Sequence, residues 1–101
     1  MAAVSRTVKR RLYAEAQGIV IATTEVDEEK LLRSNREDCV DARCLLVCAL
    51  SRYGLTDTEV AELMGVSRQC ISKLRGSLDM RLRKWSVRTN WQRICNELPM
   101  N

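Results

Sequence analysis

The sequence has no histidine and no phenylalanine, and only one proline (Pro99) and four glycines interrupt its 101 residues. Each shortage excludes something. Without histidine there is no side chain whose ordinary pKa suits proton transfer near neutrality, and no imidazole for a metal. There is no GxxxxGK[ST] loop to cradle a nucleotide phosphate. No nucleophile–base pair can be picked out either, so no catalytic residue, metal or cofactor is assigned and the chain is not read as an enzyme. Without phenylalanine, a core must come from Leu, Val, Ile, Ala, Met and Cys. With so few breaks, the chain reads as helical throughout. The one β-branched run, "GIVIATT" (Gly18 to Thr24), has no partner strand and reads as the frayed end of a first helix.

The five cysteines (Cys39, Cys44, Cys48, Cys70, Cys95) are an odd number and form no CxxC pair. They fit a reducing compartment and a role as small hydrophobes better than a disulfide framework. Cys44 and Cys48 lie one helical turn apart, but with no second pair and no histidine no metal site is expected. No apolar run approaches the ~20 residues that span a bilayer. The first twenty residues carry Arg6, Lys9, Arg10 and Arg11 where a leader would be apolar. A cytoplasmic location with no membrane partner is the expectation.

A chain of this length holds one domain and one modest core. The expected architecture is an all-α, single-domain bundle of five or six helices over residues 1–101. A first helix runs from Arg6 to about Ile21, with Val4, Val8, Leu12, Ala16 and Ile19 as its apolar stripe. A short acidic helix starts near Asp27. A third starts at a Ser34/Glu37 capping box and runs to Tyr53; its middle, "CLLVCAL" (Cys44 to Leu50), is apolar on every side, as a buried central helix would be. Thr56 and Glu59 open the next helix, which ends at Gly65. Thr89 and Gln92 open the last, with Trp91, Ile94 and Leu98 inward. Trp85 and Trp91 both read as core, with stacking of single-stranded bases on them as the alternative.

Charge is unevenly distributed: residues 21–42 carry a net −4 and residues 67–101 a net +6, within a total of +4. The basic block begins at the stretch "ELMGVSRQCISKL" (Glu62 to Leu74), which has the spacing of a helix-turn-helix over about residues 56–78. Ala61 is the small residue where two helices cross, Gly65 supplies the left-handed turn, and Ser67 caps the second helix. Val60, Met64, Ile71 and Leu74 face inward, leaving polar residues outside. The second helix, which can continue past Gly76 through Leu78 and Leu82, is then the one that meets double-stranded DNA. Arg68 suits guanine and Gln69 adenine, with Ser72 and Lys73 one turn on. Ser67 and Arg75 suit phosphates, as do Arg81, Arg83 and Lys84 in the basic extension over 79–101.

From Arg36 to Leu74 the chain resembles the C-terminal DNA-binding domain of DnaA-type replication initiators, a Trp repressor-like fold. "CVDAR" (Cys39 to Arg43) falls on that family's Ala-Arg block, and "VDEEKLL" on the short helix ahead of it. The resemblance implies a helix-turn-helix fold and a mode of DNA binding. By analogy Arg43 lines the DNA-facing side; a pair with an acidic residue of the second helix is the equal alternative. Where the family reads its origin with Asp-His-Thr-Thr, this chain has Ser67-Arg68-Gln69-Cys70, so that base specificity does not transfer. The family's nucleotide-binding module is absent, so replication initiation is not implied.

The leading expectation is therefore sequence-specific binding of double-stranded DNA, by a small transcriptional regulator or a mobile-element or phage protein. The alternative is a protein-interaction module, for example polymerase-associated, that reuses the same fold. A homodimer fits the habit of such proteins, with the first helix as the candidate surface.

Overall fold

The computed structural model describes residues 6–98. They form seven α-helices: α1 (Arg6–Thr24), α2 (Glu28–Arg33), α3 (Glu37–Arg52), α4 (Asp57–Met64), α5 (Arg68–Gly76), α6 (Leu78–Arg81) and α7 (Trp85–Glu97). No strand occurs among the described residues. The all-α, single-domain expectation holds, with more helices than the five or six expected. The second helix of the crossing pair stops at Gly76, and the one-turn α6 follows after Ser77.

The core is organised around α3. Every residue from Cys44 to Leu50 is buried, and all six other helices pack on α3. Cys39, Cys44 and Cys48 are buried unpaired thiols, serving as small hydrophobes. Among the described residues no cluster of potential metal ligands forms, and no helix is long and apolar enough to cross a membrane.

The periphery departs from the sequence reading in four places. In α1 the buried residues are Ala16 and Val20, with Tyr13 and Ile19 packed beside them, whereas Val8 is well exposed; Val4 lies outside the described residues. α1 packs on α3 and α7 and also against α4, to which its first half is joined by a Lys9–Glu59 ion pair at 2.8 Å. "GIVIATT" is accordingly not frayed. The helix continues to Thr24, whose hydroxyl donates to the Val20 carbonyl, and ends where Glu25 turns to φ 60°.

Two of the three expected capping boxes do not form. Ser34 accepts from the backbone N–H of Arg36 rather than from that of Glu37, and α3 starts after Arg36 without a side-chain cap. Thr89 and Gln92 lie inside α7, which begins at Trp85. That earlier start turns Val87, Trp91, Ile94 and Leu98 inward. Trp85 falls off this face and is 71% exposed, so of the two expected core tryptophans only Trp91 packs against the core. Pro99 lies outside the described residues.

Among the described residues the single buried charge is Asp41. One carboxylate oxygen accepts from Arg81 Nη1 and the other from Lys84 Nζ, both at 2.7 Å. Lys84 also reaches Glu37, and Arg81 Nε donates to the Ser77 hydroxyl at 2.9 Å. The corner between α6 and α7 is thereby tied to the first half of α3. Asp41→Ala, which strips two cations of a mostly buried partner, is expected to cost about 3 kcal/mol of stability in urea unfolding. Asp38→Ala, which removes an exposed pair with Arg36, should cost less than ~1 kcal/mol.

Candidate nucleic-acid interface

α4 opens on a full capping box: the Thr56 hydroxyl accepts from the Glu59 N–H at 3.2 Å, and the Glu59 carboxylate accepts from the Thr56 N–H at 2.8 Å. Glu59 also holds Lys9, and this pair, with the Thr56 N–H, keeps its carboxyl below the usual glutamate range. α4 ends at Gly65, in the left-handed conformation at φ 71° and ψ 33°. The Gly65 N–H and, at 3.1 Å, the Val66 N–H both return to the Ala61 carbonyl. A side chain at Gly65 would meet no neighbour, so glycine is favoured there by backbone conformation alone. Ser67 then starts α5, its hydroxyl accepting from the Cys70 N–H at 3.1 Å. Val60, Ala61, Ile71 and Leu74 are buried between the two helices and α3, and Met64 packs partly against them.

Packing sets the distance between α4 and α5, and a carboxylate fixes their rotation. Asp57, on the first turn of α4, accepts from the Ser72 hydroxyl at 2.7 Å and from both Nε and Nη2 of Arg75 at 2.9 Å. The two-pronged Arg75 contact, with Ser72 second, holds the Asp57 carboxyl at about 2. On the far side of α5, the Cys44 thiol donates to the Leu74 carbonyl at 3.0 Å, which fastens the last turn to α3.

These contacts sort the residues singled out in the sequence. Ser72 and Arg75 are held by Asp57, although Arg75 keeps about half of its side chain exposed. Arg81 and Lys84 are held by Asp41. Arg43 does not make the acidic pair that was the alternative for it. Its Nε donates to the Leu31 carbonyl at 2.8 Å and its Nη2 to the Ser34 carbonyl at 2.7 Å, closing the C-terminal end of α2. By contrast, the side chains of Arg68, Gln69, Lys73 and Arg83 are exposed and make no hydrogen bond or ion pair. Ser67 is exposed at the α5 N-terminus, where no acidic residue occupies the first turn.

The unengaged set is not scattered. Arg68, Gln69 and Lys73 line one open groove along α5, with Ser77 and Arg81 also in its lining. The arrangement offers a planar guanidinium, a primary amide and an ammonium on about one and a half turns of one helix, beside that helix's positive end. Such a surface can donate to the acceptors of an anionic, extended ligand. The residues that sequence reading missed, Asp41 and Asp57, lie 40 and 15 positions from their nearest partners in the chain. No local pattern announces such pairs.

Because its carboxyl is held low in the fold, Asp57 stabilises the protein fully above about pH 4, the ordinary carboxylate value, and loses that effect as the pH falls toward 2. Asp57→Asn should therefore lower the urea midpoint at pH 5, with the gap to the native chain narrowing to roughly a third of that size by pH 2.5 and closing only below pH 2. A gap that stays constant over that range would show that Asp57 does not titrate as its contacts require.

No protein-family model, no curated protein and no solved structure gives a match to this chain.

Proposed function

We propose that α4 and α5 act as a helix-turn-helix and that the chain binds double-stranded DNA with α5 in the major groove. Arg68 and Gln69 reach base edges from the first turn, and Lys73 follows one turn on. The Ser67 end of α5 and Arg83 contact phosphates on either side. The observation that carries this reading is the division of labour on α5. Its Ser72 and Arg75 are locked to Asp57, while Arg68, Gln69 and Lys73 are exposed along one groove and make no hydrogen bond or ion pair within the chain. A rigid helix presenting unpaired donors is what direct readout requires. The net +6 of residues 67–101 supplies the general attraction to a polyanion. A small transcriptional regulator or a DNA-binding protein of a mobile element or phage fits this chemistry.

The test is selection of bound duplexes from a random pool, followed by electrophoretic shift over a salt series. Affinity should fall steeply with salt, with a log–log slope of about 0.9 per phosphate contacted. Arg68→Ala should cost ~1–3 kcal/mol and relax preference at one base pair, whereas Arg83→Ala should weaken all duplexes alike. A chain that enriches no sequence and shifts no duplex would overturn the reading and favour a protein partner for the same face.

A further inference from the structure

We infer that the corner between α6 and α7, with Trp85 at its tip, is a second DNA-contacting element that grips the sugar–phosphate backbone flanking the α5 site. The inference rests on the duplex-binding reading above and adds a contact that is blind to sequence. A chain with no phenylalanine and two tryptophans has few large side chains to bury, yet it leaves Trp85 71% exposed. The backbone on either side of it is anchored. Lys84, immediately before it, is fixed to the buried carboxylate of Asp41, and Val87, two residues on, is buried in the core. Met80, on the preceding helical turn, is also exposed.

The charges around the ring say what it would meet. From Met80 to Asn96 there are five cations and no acidic residue. Arg83 and Arg88 flank Trp85 in sequence, exposed and without side-chain partners. α7 begins at Trp85 with no side-chain cap, so its positive end opens at the same point. The nearby carboxylates, Asp41 and Glu37, are engaged by Arg81 and Lys84; Asp79 lies on α6 ahead of the corner. An apolar ring among unpaired guanidiniums suits a ligand with flat apolar faces between regularly spaced anions. Deoxyribose between phosphates has that form: the indole face packs on the sugar, and its N–H and the two arginines reach phosphate oxygens. The corner also continues the α5 surface. Arg81 forms part of the groove that holds Arg68 and Lys73, and Arg81 shares Asp41 with Lys84, the neighbour of Trp85.

The experiment uses the full chain and the duplex recovered by selection, with Trp85→Ala, Trp85→Tyr and Arg68→Ala compared by shift assay and by acrylamide quenching of tryptophan fluorescence. Circular dichroism should show Trp85→Ala as helical as the native protein. Its affinity should be about five- to tenfold weaker on every duplex with base preference unchanged, and Trp85→Tyr should recover part of the loss. Quenching of the native chain should fall on adding duplex, and that change should be missing in Trp85→Ala. Trimming the duplex to the base pairs that α5 covers should abolish the difference between native and Trp85→Ala. If Trp85→Ala binds like the native chain, or duplex leaves quenching of the native chain unchanged, while Arg68→Ala still alters base preference, the inference falls and the duplex reading stands. If no duplex binds the native chain, both fall. A stronger hold on single strands that disappears in Trp85→Ala would also overturn the backbone contact, assigning the ring to base stacking instead.

Discussion

A helix with no polar face can exist only where other elements enclose it, and α3 is such a helix from Cys44 to Leu50. That single requirement organises the molecule. Four of the six helices that surround it (α2, α4, α5 and α6) have nine residues or fewer. Isolated helices below ~12–15 residues are marginal in water. These short helices draw their stability from packing on α3, so their orientation follows its surface. Cations without an ion pair remain outside this enclosure on the outer side of α5 and at the corner where α6 meets α7, as well as on the first half of α1, which carries Arg6, Arg10 and Arg11.

Apolar packing is non-directional, so it brings helices together without fixing their rotation. Three polar contacts supply the direction. Asp41 sets the α6–α7 corner against α3, Asp57 sets α5 against α4, and Arg43 closes the end of α2 on its carbonyls. Asp41 and Arg43 are near neighbours on α3 and work toward different ends of the chain. The basic residues thus form two populations that composition cannot separate. One serves the fold, through Arg43, Arg81 and Lys84. The other, including Arg68, Lys73 and Arg83, makes no hydrogen bond or ion pair within the chain.

The parts of this architecture that were legible in the sequence are those fixed within four residues. The Thr56–Glu59 box, the left-handed Gly65 and the Ser67 cap all form, because backbone geometry alone decides them. The same pattern misled at Ser34 and Thr89, since a hydroxyl followed three residues later by Glu or Gln also occurs away from helix starts. At Thr89 the core decided: burying Val87 draws α7 back to Trp85 and leaves that tryptophan in water. The outward set on α5 followed from cap and turn, which fix what must face inward, and Arg68, Gln69 and Lys73 could be named for that reason. The removal of Ser72 and Arg75 from that set depends on Asp57, which no helical period connects to them.

The carboxylate of Asp57 also divides α5 into positions with different freedom to vary. Residues 72 and 75 hydrogen-bond to residue 57, so a change at any of the three alters the setting of α5 and must be matched by the others. Residues 68, 69 and 73 touch none of that arrangement by hydrogen bond or ion pair, and they can be exchanged while the helix stays where it is. Positions that hold α5 in place are therefore distinct from positions that only face outward. On the proposed reading, what the chain recognises rests on three codons, which can change while the scaffold is carried along unchanged.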